Sequence, residues 1–313
     1  IVELIHYLRH HERPEVISLS NALLAGMARM LKRELNVPIV CTLQGEDSFL
    51  DALPLSHRQL AWNTLADRCR DIDLFVAPSR YFGELMQRRL QLPPEKVRVV
   101  YNGIHLDGWQ VADSPPDPPV LGFFARMCKE KGLHTLVDAF IALKKRGRIQ
   151  NLKLHVGGAM GPADEPFVTE LKLRLQGNAV LGDVTFFSNI SRAQKQQFFR
   201  RISALCVPAE FGEAFGLYLL EAWAAAVPVV QPPLAAFPEL IQETGGGVVA
   251  KSTSPEALGD AIESLLLDEN GRKQLGLRGR RAVEERFSSG GMASQMVEAF
   301  ASVLPKKTAI QLS

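Results

Sequence analysis

The sequence of 313 residues predicts an α/β protein built on two open parallel sheets. Three observations predict this fold class. Short apolar runs rich in β-branched residues alternate with stretches of helical periodicity, as they do in βαβ units. A proline-rich segment at 107–119 interrupts the alternation once, after which it restarts. The length suits two domains of roughly 150 residues each.

The first half alternates helices and strands up to the proline-rich segment. An amphipathic helix around Leu4, Ile5 and Leu8 opens the chain, and helical spacing returns at 23–31. The predicted strands lie at 16–19, 38–43, 74–77 and 97–101, and further helices at 56–70 and from Ser79 onward. The polar residues 44–48, QGEDS, are predicted to form a loop at the carboxyl end of a strand. Parallel α/β sheets bind ligands at such ends.

The segment 107–119, DGWQVADSPPDPP, predicts an interdomain linker, because its prolines cannot donate to a β-ladder. The second sheet is predicted from strands at 120–124, 152–156, 184–187, 204–207, 227–230 and 247–250, with a helix at 133–145 and only helices after Pro255. We therefore assign 1–110 to the first domain, 118–285 to the second, and 286–313 to a C-terminal helix packing back toward the first. Since residue 1 is Ile rather than Met, we expect the first domain to be incomplete.

Composition excludes several classes of function. The 36 Lys and Arg residues nearly balance 34 Asp and Glu, which argues against a nucleic-acid partner. The longest apolar stretch is interrupted by Glu221 and Pro228 and is too short to span a membrane. Four cysteines without a C-x-x-C pair favour reduced thiols and a cytoplasmic protein: Cys41, Cys69, Cys128 and Cys206. The seven histidines form no metal-binding pair, so no metal is predicted.

The stretch 207–230, VPAEFGEAFGLYLLEAWAAAVPVV, carries the clearest chemical signal. Glu221 is the one charged residue between Ala214 and Val230, and burying a carboxylate is costly unless hydrogen-bond donors meet it. The donor could be an Arg or Lys elsewhere in the chain, or the hydroxyls of a ligand. The loop 210–216 follows a predicted strand and precedes a helix opening at about Gly216 or Leu217, which is the geometry of an anion site. A nucleoside diphosphate satisfies both features, because its pyrophosphate suits the helix end and its ribose hydroxyls can donate to Glu221.

These residues resemble a known family. The segment EAFGLYLLEAWAAAVPVV resembles the E-x7-E signature of retaining glycosyltransferases of the GT-B fold, family 4 (glycosyl transferases group 1). FFARMCKEKGLHTLVDAF, LKLHVGG, FPELI and GGGVV resemble further segments of that family in the same order. VAPSRYFGELM and RVVYNGIHLDGW extend a looser resemblance into the first half. The resemblance covers nearly the whole chain.

The resemblance implies two Rossmann-like domains facing a cleft and a hexosyltransferase-like enzyme that needs neither a metal nor a cofactor. Its co-substrate would be a nucleotide-diphosphate sugar. Arg126 and Lys131 match the family's basic pair, which neutralises the donor diphosphate. Glu221 matches the carboxylate that accepts hydrogen bonds from the ribose hydroxyls, and Glu213 matches the carboxylate near the donor sugar. Backbone N–H donors are implied at Phe215, Gly216 and Leu217. Without the family, Arg126 and Lys131 would be read as solvated cations and Glu213 as an exposed loop carboxylate.

The loop LQGED departs from the family pattern. Many members carry a His where this chain has Gln44, and an amide cannot take a proton. A step that needs a proton acceptor would have to use Glu46, Asp47 or the substrate itself, and we assign Gln44 and Asp47 to the catalytic set with Glu213. A front-face mechanism avoids a protein base, since the leaving phosphate oxygen accepts the acceptor's proton. The structural alternative for Glu46 and Asp47 is a turn or helix cap.

The sequence therefore leaves three hypotheses for the function. The leading one is a retaining glycosyltransferase whose acceptor is a saccharide, a lipid-linked molecule or a small molecule; a lipid acceptor would imply peripheral membrane contact. The departure at Gln44 leaves open a non-catalytic nucleotide-sugar-binding protein of the same fold. A GT-B epimerase shares fold and donor. A dehydrogenase is disfavoured, because no G-x-G-x-x-G follows a predicted strand.

Overall fold

The computed structural model describes residues 1–305, and the chain separates into two compact units. The first comprises residues 1–101 and the part of the chain from Met292 onward, and the second comprises residues 102–291. Each unit contains one parallel sheet, of four strands in the first and six in the second. The predicted α/β class with two Rossmann-like parallel-sheet domains is confirmed.

The first unit is built on a sheet in the sequential order β1-β2-β3-β4. Its strands are β1 (Ile17–Leu19), β2 (Ile39–Thr42), β3 (Leu74–Ala77) and β4 (Val97–Val99). Its helices are α1 (Val2–Tyr7), α2 (Ala28–Leu35), α3 (Glu46–Asp51), α4 (Leu55–Cys69) and α5 (Arg80–Leu90). A π-helical segment follows α1 at Leu8–Glu12, and 3-10 segments occupy Ala22–Met27 and Pro94–Lys96.

The second unit has the strand order β10-β9-β8-β5-β6-β7. Its strands are β5 (Val120–Phe124), β6 (Lys153–Gly158), β7 (Val184–Ser188), β8 (Ala204–Leu205), β9 (Val229–Gln231) and β10 (Gly247–Val249). Its helices are α6 (Leu133–Arg146), α7 (Glu165–Gly177), α8 (Arg192–Arg200), α9 (Leu217–Ala224), α10 (Phe237–Thr244), α11 (Pro255–Leu267) and α12 (Glu269–Arg286). The last helix, α13 (Ser289–Val303), belongs to the first unit from Met292 onward. The order reverses between β5 and β8, and such a switch point opens a crevice at the strands' carboxyl ends.

The cores follow from the apolar runs seen in the sequence. In the first unit, Val40, Leu74 and Val76 of the sheet pack with Ala299 of α13, and Met296 and Phe300 cover the same cluster. In the second, β5 is buried and α6 places an apolar stripe on the sheet: Leu133, Leu136, Val137, Ala139, Phe140, Ile141 and Leu143. The helical pattern predicted after Pro255 is confirmed up to Val303, whereas residues 306–313 of the predicted C-terminal segment lie outside the described residues.

The structure corrects three details of the sequence prediction. Residues 102–110 belong to the second unit rather than the first, because Ile104 N–H donates to Phe287 O and Trp109 packs edge-on against Phe199. Residues 44–48 are not wholly a loop, since α3 begins at Glu46. The helix predicted at 23–31 is divided into a 3-10 segment and α2.

The thiols and helices of the described chain add two observations. All four cysteines are buried and free of disulfides. Among residues 1–305, no helix combines the length and the apolar character needed to cross a membrane.

Candidate functional site

The candidate site of the second unit lies at the carboxyl edge of its sheet, around the switch point between β5 and β8. Arg126 follows the end of β5, and Lys131 ends the 3-10 turn Lys129–Lys131 just beyond it. Glu213 lies in the loop that follows β8, and Glu221 lies on α9. These four of the residues singled out from the sequence thus occupy loops or helices that follow two adjacent strands.

Lys131 and Glu213 form the centre of this site. Lys131 Nζ donates to Glu213 Oε1, and the Tyr218 hydroxyl donates to the same oxygen at 3.3 Å. Gly132 makes this approach possible: its φ is +71°, and a Cβ there would lie 1.8 Å from Pro208 O. A side chain at this position would push the Lys131 turn away from the segment after β8.

The start of α9 is built as the sequence predicts. Gly216, with φ of +94°, is the N-cap, and the helix begins at Leu217 with no acidic residue in its first turn. The first N–H groups of a helix have no intrahelical partner, and the helix dipole makes this end positive. Phe215 is 3% exposed and thereby anchors the loop in the core. The arrangement is suited to binding an anionic group.

Glu221 meets a lysine of the same unit. Lys195 Nζ lies 2.5 Å from Glu221 Oε1, and these side chains are 25% and 15% exposed. Burial raises the pKa of Glu221, and the hydrogen bond from Lys195 opposes that rise. The ion pair considered from the sequence as one alternative is therefore present. Within residues 1–305, Lys195 is the one hydrogen-bond donor to this carboxylate.

Local structure explains why Lys195 is available. It lies in the first turn of α8, whose start is stabilised by a capping box between Ser191 and Gln194. Its ammonium also lies 5.9 Å from the ring centroid of Phe124 at the end of β5. The lysine is thus held by the helix, by an aromatic face and by the carboxylate.

Arg126 is oriented by Asp164, a residue that precedes α7. Its Nε lies 3.1 Å from both carboxylate oxygens and its Nη2 lies 3.0 Å from Oδ1. Gly161 N–H also donates to Asp164, at 3.0 Å. The Arg126 hydrogen bond lowers the pKa of Asp164, and the same bond raises the pKa of Arg126. The Arg126 side chain remains 58% exposed, so it keeps donors for a ligand.

The residues predicted in the first unit lie where β2 leads into α3. Glu46 is 1% exposed, and its carboxylate accepts backbone N–H groups from Ala22, Gln44 and Gly45 at 2.8, 2.9 and 3.1 Å. These bonds give Glu46 a structural role in holding the loop, as the alternative of a turn residue anticipated. Asp47 differs, since its Oδ1 is buried without a hydrogen-bond partner among the described residues, and burial raises the pKa of this carboxyl group. The Gln44 side chain is exposed.

Three residues of these clusters were not singled out from the sequence: Tyr218, Lys195 and Asp164. Tyr218 could have been found, because it lies five residues after Glu213, in the first turn of the helix that follows the Glu213 loop. Lys195 and Asp164 carry no local signal, being 26 and 38 positions from their partners. Within the described chain, no group of three or more His, Cys, Asp or Glu side chains is arranged to hold a metal ion.

Comparison with known families gives two matches that together cover most of the chain. Residues 110–282 match the family model described as Glycosyl transferases group 1. Residues 1–107 match the model described as Glycosyltransferase Family 4. The first match alone covers more than half of the chain and contains the residues of the second unit's site.

Curated relatives and solved structures agree with these matches. The chain is 27% identical over 217 residues to the phosphatidyl-myo-inositol mannosyltransferase of Mycobacterium leprae (strain TN), covering 68% of this chain and 55% of that protein. It is similar in fold to a sucrose-phosphate synthase from Thermosynechococcus elongatus, with a TM-score of 0.79 and 19% identity over 96% of this chain and 76% of that one. It is also similar in fold to Anabaena HepE, solved in complex with UDP. The TM-score is 0.80 and the sequence identity 19%, covering 96% of this chain and 81% of that one. The chain spans 42% to 67% of the length of the first curated relatives it matches.

Proposed function

The chain belongs to the glycosyl transferases group 1 family, and from this premise we propose that it transfers a sugar from a nucleoside-diphosphate donor to an acceptor with retention of configuration. The observation that carries the proposal is the arrangement around Lys131. This cation donates to Glu213, which also accepts from Tyr218 in the first turn of α9, and the exposed guanidinium of Arg126 lies five positions before Lys131 in the sequence. Such a site suits a diphosphate that gains charge as it leaves.

Arg126 and Lys131 would stabilise the departing diphosphate. When the bond between the anomeric carbon and the phosphate oxygen breaks, negative charge grows on that phosphate, and fixed cations lower the barrier most where charge develops. Asp164 holds Arg126 in place without covering it. These cations supply the charge neutralisation that a divalent ion would otherwise provide, which supports the proposal of a metal-independent transferase.

Glu221 would bind the ribose of the donor. Lys195 contacts Oε1, so Oε2 can accept a hydrogen bond from a ribose hydroxyl. Burial raises the pKa of Glu221, and in this arrangement the hydrogen bond from Lys195 opposes that rise and so favours the charged form. A charged acceptor makes a stronger hydrogen bond to a hydroxyl than a protonated carboxyl does.

Retention is proposed to occur through a front-face reaction. The anomeric carbon loses its bond to the phosphate oxygen and gains one to the acceptor oxygen on the same face. The acceptor's proton passes to the departing phosphate oxygen. Glu213 already accepts from Lys131 and Tyr218, which suits a carboxylate that orients a sugar hydroxyl. In the first unit, the proposed contribution is a hydrogen bond from Gln44 to the sugar, with Asp47 as the carboxylate, since its Oδ1 has no hydrogen-bond partner among the described residues.

The names of several relatives suggest where an acceptor screen should begin. One is a phosphatidyl-myo-inositol mannosyltransferase and another a D-inositol 3-phosphate glycosyltransferase of Corynebacterium diphtheriae. Inositol, its phosphates and inositol lipids are therefore the first acceptors to test beside simple saccharides. The four free, buried thiols fit the proposed cytoplasmic location, where cysteines stay reduced.

Calorimetry with UDP-, GDP- and ADP-sugars tests the donor assignment. We expect one donor to bind the wild-type chain, and Glu221→Gln to weaken it by about tenfold, equivalent to about 1.4 kcal/mol. Glu256→Gln, at an exposed position of the same unit, is the matched control. If no nucleotide sugar binds, or if Glu221→Gln leaves affinity unchanged, the donor assignment is wrong. NMR of the product reports the anomeric configuration and separates transfer from epimerisation.

A non-catalytic nucleotide-sugar-binding protein is the second candidate, and Gln44 is the observation that favours it. The two candidates differ in turnover. Transfer or slow donor hydrolysis by the wild-type chain would exclude the binding protein. Donor binding without turnover, together with turnover gained in Gln44→His, would support it.

A further inference from the structure

The buried charges of the described chain include one that lacks an adequate partner. Arg272 of α12 is 8% exposed, and the one hydrogen bond that its side chain makes to a described residue is a 3.5 Å contact to Leu266 O. The other three buried charged residues, Glu46, Asp164 and Glu263, each meet backbone N–H groups or a guanidinium. Among residues 1–305, no carboxylate lies within ion-pair distance of Arg272. A buried guanidinium so poorly satisfied carries a desolvation cost that an anion would offset.

Arg272 lines a cavity of about 190 Å³ together with two further cations. Lys273 follows it on α12 and is exposed, without a hydrogen bond or ion pair to any described residue. Arg200, at the end of α8, has a buried Nε with no acceptor in the part of the chain that the structure describes, while its Nη1 donates to Gln110 Oε1 at 3.2 Å. The acids on the cavity wall are Glu269 and Asp113; Asp113 is fully exposed and lies 3.7 Å from Arg200. Positive charge therefore exceeds negative charge around the cavity.

The cavity lies on the opposite edge of the sheet from the candidate donor site. Ser203 and Pro228, which line it, immediately precede β8 and β9, so they mark the amino ends of strands whose carboxyl ends lead to Glu213 and beyond. Apolar side chains such as Phe199 and Leu277 complete the wall. Its volume is below the roughly 300–1,000 Å³ of sites for drug-sized ligands, so it suits a small molecule.

We propose that this cavity, lined by Arg200, Arg272 and Lys273, is a second binding site that takes the phosphate or carboxylate group of a small molecule. The planar guanidinium of Arg272 can donate two parallel hydrogen bonds to either group. Lys273 adds an exposed ammonium, and the Arg200 guanidinium, which also contacts Gln110 and Asp113, adds a third positive charge. Occupancy leaves the donor site's own residues free, because the two sites share none of these side chains.

Inorganic phosphate and acetate serve as probes of the full chain, titrated against chloride at constant ionic strength. A ligand that binds the folded state alone raises the melting temperature in a saturable way. We expect such a response to phosphate, to acetate or to both, and the stronger probe identifies the preferred group. The response should persist in Lys131→Met, which removes a cation of the donor site. Absence of saturation with both probes, or its loss in Lys131→Met, would overturn the proposal.

Substitutions within the cavity locate the binding. Arg272→Met should weaken the effective probe by at least about tenfold, while the melting temperature without probe stays the same or rises, because an unpaired buried charge is removed. Lys273→Gln should weaken it by about three- to tenfold. Lys251→Gln, at an exposed lysine of the same unit, should have no effect. If Arg272→Met binds the probe as tightly as the wild type, the proposal is contradicted. If Arg272→Met does not fold, unchanged affinity for the probe in Lys273→Gln contradicts the proposal instead.

Discussion

Lys195 Nζ and Glu221 Oε1 lie 2.5 Å apart, so the carboxylate that stands alone in an apolar stretch of sequence has a partner in the folded chain. Both side chains are largely buried, at 25% and 15% exposure. The pair joins α8 to α9 beside the candidate donor site. Its loss should therefore affect both stability and ligand binding.

We expect Lys195→Met to lower the free energy of unfolding by about 2 kcal/mol, because it leaves a buried carboxylate without its donor. Urea denaturation of the purified chain measures the change. The double variant Lys195→Met/Glu221→Gln should recover most of the loss. Arg281→Gln is the control, since Arg281 and Glu285 form an exposed pair at 79% and 54% and its loss should cost less than about 0.5 kcal/mol. Equal losses in Lys195→Met and Arg281→Gln would contradict a buried ion pair.

Lys131→Met should reduce kcat by about 100-fold, as expected when a cation that stabilises a developing charge is removed. Tyr218→Phe should reduce it by about threefold, because it removes a longer hydrogen bond to Glu213. Steady-state kinetics with the donor found by calorimetry provides the measurement. Lys129→Met, at an exposed lysine of the same turn, should retain wild-type kcat. A comparable loss in Lys129→Met would mean that the turn as a whole matters, and not the contact with Glu213.

The Arg126–Asp164 pair predicts a pH dependence at acid pH. Because its pKa is lowered from 3.8, folded Asp164 binds fewer protons than unfolded Asp164 in the window below that value. Stability from this pair is therefore present above the unfolded pKa of 3.8 and is lost as the pH falls through the folded pKa. Denaturant midpoints measured across this window should rise with pH in the wild type and rise less steeply in Asp164→Asn. Identical slopes in the two proteins would rule out this assignment.

Glu46→Gln should destabilise the first unit by about 2–4 kcal/mol, since an amide cannot replace a buried carboxylate that accepts three backbone N–H groups. Thermal and urea unfolding give the value. Glu15→Gln, at an exposed position of the same unit, should change stability by less than about 0.5 kcal/mol. A loss of activity in Glu46→Gln without any loss of stability would instead assign Glu46 a role in the reaction.

Much of the fold could be predicted because strand signals are local. The predicted strands at 74–77 and 120–124 coincide with β3 and β5, whose apolar runs are buried on both faces. The predicted ends of strands were less accurate where contacts with distant parts of the chain determine where a strand ends. The strand predicted at 204–207 is only two residues long, because β8 pairs through few residues with its neighbours.

The candidate site was predicted only as a set of residues, and the partners of those residues came from distant parts of the chain. Lys131 and Glu213 are 82 positions apart, and no spacing rule relates them. Arg126 and Lys131 were both read from the sequence, but the ion pairs that orient them were not. For Glu46 the sequence predicted a residue of a polar loop, but the structure buries its carboxylate. Backbone N–H groups from two separate segments of the chain donate to it.

By itself the sequence determined the two parallel-sheet domains, the family and the need of Glu221 for a hydrogen-bond donor, since apolar periodicity, motif order and the cost of burying a charge are all local properties. Only the tertiary structure decided that Lys195 meets that carboxylate and that Arg272 is buried with no carboxylate partner among residues 1–305. The physical reason is the same in both cases. Which charges come within a few ångströms depends on how helices pack on the sheet, and residues far apart in sequence determine that packing.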